Sequence, residues 1–271
     1  MRIAFIGDIV GRPGRRTVRE LLPVLRAERS PDLVVANAEN AAAGVGVTPQ
    51  VAAELFQAGI HVLTTGNHVW DKKEAMDLLD REPRILRPVN YPPGAPGAGW
   101  TVVGVGKEKV GVINLSGRVF LPSHYDCPFR GVEEVLEEVR SRARMIVVDF
   151  HAEATSEKAA MGWYLDGRVS AVVGTHTHVA TSDARILPKG TAFITDVGMT
   201  GPINSVIGIK AELVLERFIS QLPVRFEVAM GTCQMAAVVV DVDEETGTAL
   251  GIEQWVRRSE PEGEEEGEIR G

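Results

Sequence analysis

Five groups of polar residues in the 271-residue sequence each come directly after an apolar run. They contain Asp8; Glu39 and Asn40; Asn67 and His68; His151; and His176 with His178. Carboxylate, amide and imidazole side chains together supply the oxygen and nitrogen donors that Mn, Fe and Zn prefer. One carboxylate can bridge two such ions, and a pair of ions activates water and neutralises charge during phosphoester hydrolysis. The pattern therefore predicts a two-metal phosphoesterase.

The apolar runs that precede these groups predict strands at 3–6, 33–36, 61–65, 145–150 and 169–173. Amphipathic segments lie between several of them; in 17–28, for example, the apolar residues fall on one helical face. Open α/β sheets gather ligands at the carboxyl ends of their strands. We therefore expect the five polar groups to meet at one edge of the fold.

The hydrophobic pattern in the rest of the sequence indicates the fold class. Residues 102–105 and 110–115 read as a hairpin, and helices are expected at 71–79 and 132–140. The last third predicts strands at 191–195, 225–229, 236–243 and 252–257 with few helices. Parallel βαβ units followed by antiparallel strands predict a four-layer α/β/β/α sandwich with two central mixed sheets. We expect one domain over residues 1–258, a long loop at 88–99, and an acidic flexible tail at 259–271.

Composition excludes several classes of protein. A net charge of −8 and a pI near 5.4 argue against a protein that coats nucleic acid, but are compatible with a small phosphorylated substrate. Cys127 and Cys233 match no ligand spacing and suggest reduced thiols. Without a basic-then-apolar leader or an apolar run of about 20 residues, we expect a cytoplasmic protein that does not associate with membranes. A homo-oligomer is expected only because homo-oligomers are common among proteins in general.

The motifs resemble those of the calcineurin-like metallophosphoesterases, in the same order along the chain. The similarity is carried by Gly7-Asp8, Gly66-Asn67-His68, the single His151 and the segment 174–178, GTHTH. The sequence is similar from end to end to the YmdB-like branch, through the segments 7–11, 38–40, 66–71 and 151–158. That resemblance implies a 2′,3′-cyclic nucleotide phosphodiesterase.

The resemblance also implies a role for each candidate residue. One ion would be held by Asp8, Glu39, Asn40 and His178, and the other by Glu39, Asn67, His151 and His176. Glu39 would bridge the two ions, which would be Fe or Mn, with Zn also compatible. A hydroxide between the ions would attack phosphorus in line. His68 would position a phosphoryl oxygen or protonate the leaving alkoxide.

The sequence departs from the broad superfamily at three positions. Val10 stands where a histidine ligand is usual, and Asn40 is the expected replacement. The bridging residue is Glu39 rather than aspartate. Val69 replaces an acidic residue after His68, so Asp71 or a backbone carbonyl must orient the imidazole. All three departures recur in the YmdB-like branch and so favour it.

Other interpretations stay open at this point. A phosphomonoesterase or a general phosphodiesterase would use the same residues. Val10 and Val69 favour a non-catalytic metal-binding regulatory module, whereas His68 argues against one. The segment 155–158 resembles a capping box in which Thr155 caps a helix and Lys158 lies on the surface. Asp196 lies on a possible substrate loop or in a plain turn.

Overall fold

A computed structural model describes residues 1–121 and 125–259. In chain order its strands are β1 (Arg2–Ile6), β2 (Asp8–Ile9), β3 (Leu33–Asn37), β4 (Val62–Thr64), β5 (Ile85–Leu86), β6 (Trp100–Val105), β7 (Glu108–Ser116), β8 (Met145–His151), β9 (Ala171–Thr175), β10 (Arg185–Ile186), β11 (Ala192–Ile194), β12 (Met199–Pro202), β13 (Cys233–Val242) and β14 (Ala249–Ser259). Its helices are α1 (Gly11–Arg29), α2 (Pro49–Gln57), α3 (Ala75–Arg81), α4 (Pro128–Arg142), α5 (Thr155–Leu165) and α6 (Ala211–Ser220).

The first sheet has the strand order β2-β12-β13-β1-β3-β4-β5, and β14 pairs with β13. Strands β1, β3, β4 and β5 are parallel, so their carboxyl ends lie at one edge. Strand β13 runs antiparallel to β1 and to β14. Strands β1 and β12 both pair with β13, β1 with its residues 237–241 and β12 with its residues 233–234.

The second sheet has the order β10-β11-β9-β8-β7-β6. Its central strands β7, β8, β9 and β11 are parallel, and the strands at both edges are antiparallel to their neighbours. The predicted loop at 88–99 joins β5 of the first sheet to β6 of the second. Both sheets are therefore mixed, as predicted.

Three hydrophobic clusters separate the layers. The inner cluster joins the facing sides of the two sheets and includes Phe5 and Val147. A second cluster packs α1, with Leu22, against the outer side of the first sheet. A third packs α4 and α5, with Leu136 and Met161, against the outer side of the second. The layers are α/β/β/α, which confirms the predicted fold class.

Several predicted elements differ from the structure. Helix α1 begins at Gly11 rather than Thr17, because Pro13 is compatible with a first helical turn. Helix α6 was not predicted, and only its Val214 is buried, so it lacks a clear apolar stripe facing the core. The strand predicted at 225–229 forms a single bridge between Ile209 and Val228.

The predicted tail, 259–271, begins at the last residue that the structure describes. Ser259 closes β14 and pairs with Cys233, whereas the rest of the predicted tail lies outside the described residues. Among the helices in 1–121 and 125–259, none combines the length and apolar character needed to cross a bilayer.

Candidate metal centre

The five polar groups meet where the parallel strands of both sheets end. Asp8 opens β2 immediately after β1, and His151 is the last residue of β8. Glu39 and Asn40 follow β3, Asn67 and His68 follow β4, and His176 and His178 follow β9. Asp8, Glu39, Asn40 and His151 are at most 5% exposed. The first sheet supplies the carboxylates and amides, and the second supplies three of the four histidines.

Close packing at this edge depends on two glycines. A Cβ on Gly66 would lie 2.1 Å from Cδ2 of His151 and 2.2 Å from Oε2 of Glu39. A Cβ on Gly7 would lie 1.8 Å from the Gly198 carbonyl oxygen. Only glycine lets the backbone come this near to the functional side chains.

One group of side chains converges on Nε2 of His151. Oε1 of Glu39 lies 2.9 Å from this nitrogen, Nδ1 of His176 3.0 Å and Oδ1 of Asn67 3.1 Å. Ligand atoms of Glu39, His151 and His176 all lie within 4.8 Å of one another, close enough to hold one metal ion. These four residues were predicted to share an ion.

A second group lies around Asp8. Nε2 of His178 is 3.2 Å from Oδ1 of Asn40 and 3.9 Å from Oδ1 of Asp8. Oδ1 of Asp8 is also 3.8 Å from Nδ1 of His151, so the second group borders the first. With Glu39 next to Asn40 in the chain, these residues make up the other predicted ligand set. The structure thus brings together all seven predicted ligands.

The donor set fits metal ions. Nε2 of His151 can carry one proton, yet three polar atoms lie within 3.1 Å of it. Oδ1 of Asp8 is buried and accepts no hydrogen bond from any described residue. A buried carboxylate oxygen without a donor is costly, and a cation would satisfy it. Both observations indicate that this cluster is built to surround positive charge.

The two histidines after β9 lie on a strained loop. His176 has φ of 101° and His178 has φ of 65°, values that are uncommon for residues other than glycine. Between them, the backbone N–H and the hydroxyl of Thr177 donate to Oδ2 of Asp196, at 3.1 and 2.8 Å. Nζ of Lys158 binds the same oxygen at 2.7 Å. This buried clamp fixes the loop.

The clamp corrects two expectations for the segment 155–158. Lys158 is 1% exposed rather than on the surface. Helix α5 has Ala154 as its N-cap and no side-chain cap, so Thr155 is not the capping residue. The Glu157 carboxylate is turned instead to the backbone N–H groups of Arg118 and Val119, at 3.1–3.2 Å. Tertiary partners thus outcompete the local capping interaction.

A buried polar network contacts His151 on the Nδ1 side of its ring. Nδ1 of His151 lies 2.9 Å from Oγ1 of Thr175, whose hydroxyl donates to Oδ1 of Asp149 at 2.7 Å. The hydroxyl of Thr64 and the amide of Asn37 donate to Oδ2 of the same aspartate, at 2.5 and 3.0 Å. A proton on Nδ1 of His151 directs the Nε2 lone pair toward the metal-binding group.

Electrostatics at the site are dominated by burial and by the carboxylate–histidine pairs. Burial raises the pKa of Asp8, against the opposing effects of His178 and His151. Burial also opposes the charged form of Glu39, but His151 and the other histidines outweigh it and lower the Glu39 pKa to about 2. Despite its burial, His151 has its pKa raised to about 9, chiefly by Glu39.

The pKa of His176, which contacts His151, is shifted in the opposite direction to that of His151. Burial and the neighbouring His151 lower the pKa of His176 to about 3. The other ring nitrogen of His176, Nε2, lies 3.0 Å from Oε2 of Glu153. His176 is therefore neutral at pH 7, with Nδ1 facing His151.

His68 stands at the rim of the site rather than inside the cluster. Its Nδ1 is 2.7 Å from Oδ2 of Asp71, so Asp71 orients the imidazole. Val69 is fully buried in the cluster under α1. Val10 is also buried, and it packs against Gly208. Both valines are core residues, which explains why polar side chains are missing there.

Sequence reasoning gave no role to Asp149, Thr175 or Glu153. It placed Lys158 on the surface and Asp196 in a substrate loop or a turn, whereas the two form a buried ion pair. A signal for Asp149 was present, because a carboxylate inside the apolar strand 145–151 must find buried partners. The pairing of Lys158 with Asp196 left no such signal, since the two are 38 residues apart.

Comparison with known proteins agrees with this architecture. The model of the YmdB-like protein family matches residues 4–255. The chain belongs to this family. A 2′,3′-cyclic-nucleotide 2′-phosphodiesterase of Bacillus subtilis is 52% identical, over 94% of this chain and 96% of the relative.

Two solved structures are similar over nearly the whole chain. A hypothetical protein from Thermus thermophilus has 45% identity and a TM-score of 0.90, covering 96% of this chain and 100% of that one. A phosphatase from Mycoplasma pneumoniae has 35% identity and a TM-score of 0.90, covering 96% and 94%. The chain is a phosphoester hydrolase of the YmdB-like family.

Proposed function

We propose that the chain hydrolyses 2′,3′-cyclic nucleotides at a centre of two metal ions. The observation that carries the proposal is the convergence of seven candidate ligands at one strand edge. They surround Nε2 of His151 and Oδ1 of Asp8, and that oxygen accepts no hydrogen bond from any described residue. The activity named for the Bacillus subtilis relative supports the choice of substrate.

The residues divide into two ligand sets in this proposal. Asp8, Asn40 and His178 would hold one ion, Asn67, His151 and His176 would hold the other, and Glu39 would contribute to both. Fe and Mn suit this mixture of carboxylate, amide and imidazole donors, and Zn is also compatible. When bound, the ions supply Lewis-acid activation of water and neutralise charge on the phosphoryl oxygens.

The chain's own groups complete the reaction. Asp71 accepts a hydrogen bond from the Nδ1–H of His68, which leaves Nε2 to face the substrate as the proton donor. Water adds to phosphorus and gives up one proton to solvent, and the bond from phosphorus to one ribose oxygen breaks. His68 donates a proton to that oxygen and regains one from solvent. The cyclic phosphodiester becomes a monophosphate with one free ribose hydroxyl.

Metal analysis and a substrate panel test this function. Protein purified without chelator is expected to hold two ions per chain by elemental analysis. It should hydrolyse 2′,3′-cyclic nucleotides faster than mononucleotides or aryl phosphates, and Asp8→Ala should abolish turnover. One ion per chain at saturation, or full activity of Asp8→Ala, would exclude the two-metal mechanism. Preference for a monoester would instead indicate a phosphomonoesterase.

A further inference from the structure

A large cavity lies beside the metal centre, between the 88–99 loop, the end of β7 and helix α4. Its volume is about 700 Å³, which is within the range of small-molecule sites. The lining includes Tyr91, Trp100, Arg118 and Arg130. None of these four residues is among the predicted ligands.

Arg118 lies close to the reacting centre because of the register of the second sheet. Ser116, at the end of β7, pairs directly with His151 at the end of β8. Arg118 is two residues further on, so its Cα is within about 12 Å of the His151 Cα. The arginine therefore extends from the same strand edge that carries the candidate ligands.

The backbone at Arg118 is held rigidly. The Glu157 carboxylate accepts hydrogen bonds from the N–H groups of Arg118 and Val119, at 3.1–3.2 Å. The N–H of Gly117 donates to the carbonyl of His151 at 2.9 Å. A Cβ on Gly117 would lie 2.5 Å from both Glu157 and Ala152, so the turn packs tightly against the start of α5.

Two cations in this cavity have no partner among residues 1–121 and 125–259. The side chains of Arg118 and Arg130 are exposed, and neither makes a hydrogen bond or an ion pair with any described residue. Asp126 and Glu134 also line the cavity, yet neither pairs with these arginines. By contrast, the guanidinium of Arg87 is occupied by backbone carbonyls of the 88–99 loop. In a chain of net charge −8, such a pair of free guanidinium groups is suited to an anionic ligand.

One residue that lines the cavity also contacts the loop that carries His68. The Tyr91 ring meets the Trp70 ring edge to face, with centroids 5.5 Å apart, and Trp70 belongs to the 66–71 segment. The cavity and the loop that carries His68 therefore share a contact through Tyr91.

We propose that Arg118 and Arg130 bind a second phosphate of the substrate, beyond the cyclic phosphate that reacts. The substrate would then be a 2′,3′-cyclic nucleotide that also carries a 5′ phosphate, as a 5′-phosphorylated mononucleotide or as the end of an oligonucleotide. The inference rests on the proposed function for the reacting group. Guanidinium groups bind phosphate through paired, charge-assisted hydrogen bonds.

A comparison of kcat/KM for three substrates distinguishes a 5′-phosphorylated mononucleotide from the end of an oligonucleotide as the preferred substrate. They are adenosine 2′,3′-cyclic phosphate, the same compound with a 5′ phosphate, and a dinucleotide that ends in a 2′,3′-cyclic phosphate. We expect either substrate with a second phosphate to exceed the first by about tenfold or more. A gain for the 5′ phosphate alone identifies a mononucleotide site, and a gain for the dinucleotide identifies an oligonucleotide site. Equal kcat/KM for all three overturns the proposal.

Variants then assign the effect to the two arginines. Arg118→Gln with Arg130→Gln should remove the preference by raising KM, with kcat and the turnover of an aryl phosphodiester unchanged. Arg140→Gln is the matched control, since Arg140 is an exposed arginine on the same helix outside the cavity. An equal loss on every substrate would mean that the arginines only stabilise the fold, and would overturn the proposal.

A binding measurement keeps this test separate from the proposed function. By calorimetry, adenosine 3′,5′-bisphosphate should bind more tightly than adenosine 3′-monophosphate, and the double variant should lose the difference. This result does not require turnover, so it holds even if cyclic nucleotides prove not to be substrates. Equal affinity of the wild-type protein for the two compounds would contradict the proposed phosphate site.

Discussion

His68 and its partner Asp71 are the residues that most clearly distinguish a catalytic site from a site that only holds metal. His68 is about one-third exposed and lies at the rim, whereas the candidate ligands Asp8, Glu39, Asn40 and His151 are buried. A purely structural metal site has no use for an oriented imidazole outside the ligand set. The hydrogen bond to Asp71 therefore favours chemistry at this centre.

His68→Ala is expected to lower kcat by about 10²–10³, because it removes the proton donor to the leaving oxygen. Metal content by elemental analysis should stay at the wild-type level. Asp71→Asn keeps the imidazole and should cost less. Wild-type turnover of a cyclic nucleotide by His68→Ala would contradict the role given to this residue.

His151 couples metal binding to proton release. Its pKa is raised to about 9 in the metal-free protein, so the ring is protonated at pH 7, whereas a ligand must be neutral. Metal binding at pH 7 should therefore release close to one proton from His151, and affinity should rise with pH up to about 9. His176, with a pKa of about 3, should contribute none. Calorimetry in buffers of different ionisation enthalpy measures this number, and a heat independent of the buffer would contradict it.

At the scale of elements, the clamp between α5 and the ends of β9 and β11 decides where two of the ligands lie. The loop holds His176 and His178 with positive φ, a conformation that each residue adopts at a cost of about 1 kcal/mol or more. Thr177, Lys158 and Asp196 supply the compensating hydrogen bonds.

Lys158→Met leaves the Asp196 carboxylate buried without its cation. We expect a loss of about 3 kcal/mol in the free energy of unfolding and a lower metal content, because the loop relaxes. Lys158→Met with Asp196→Asn should recover part of the stability. Lys189→Met, at an exposed lysine, is the control and should change stability by about 0.5 kcal/mol or less. Urea unfolding measures both effects, and a Lys158→Met protein as stable as the control would exclude the clamp.

The sequence was most informative where strands end. Each apolar run that preceded a polar group is a strand of the described structure, because β-branched runs bounded by glycine have few alternatives. The order of these strands within the sheets places Asp8 and His151 together, and the fold class follows from the same alternation. Which atoms bind which ion remains a prediction.

Prediction failed where tertiary contacts override local preference. The segment 155–158 has the pattern of a capping box, yet Glu157 binds the backbone of Arg118 and Lys158 binds Asp196. Helix α6 was missed because its apolar residues Leu215, Phe218 and Ile219 are exposed and do not mark a buried face. Such contacts join distant segments, and no local pattern encodes them.

At the scale of the whole molecule, part of the stability is carried by residues that take no part in the metal centre. Trp255 on β14 is 1% exposed and donates to Glu28 of α1 at 2.8 Å, on the outer side of the first sheet. This contact joins the cluster under α1 and shares no residue with the metal centre.

Trp255→Ala is expected to lower the free energy of unfolding by about 4 kcal/mol, chiefly through the cavity that the lost indole ring leaves. Turnover per metal-loaded chain should be unchanged at temperatures where the variant is folded. Trp163→Ala is the matched control, because Trp163 is 55% exposed and should cost little. Thermal unfolding and steady-state kinetics check both statements, and equal melting temperatures for the two variants would contradict the first.

The pairing of β1 with β13 has a consequence for the order in which the protein is assembled. Arg2 lies opposite Asp241, so β1, which precedes Asp8 in the chain, gains its antiparallel neighbour only when β13, close to the end of the described chain, is available. Contacts this far apart in sequence form slowly, because the intervening chain must first be brought together. During synthesis on the ribosome, the earlier ligand-bearing segments emerge long before β13. We therefore expect the centre to bind its metals only after β13 has been synthesised and has paired with β1.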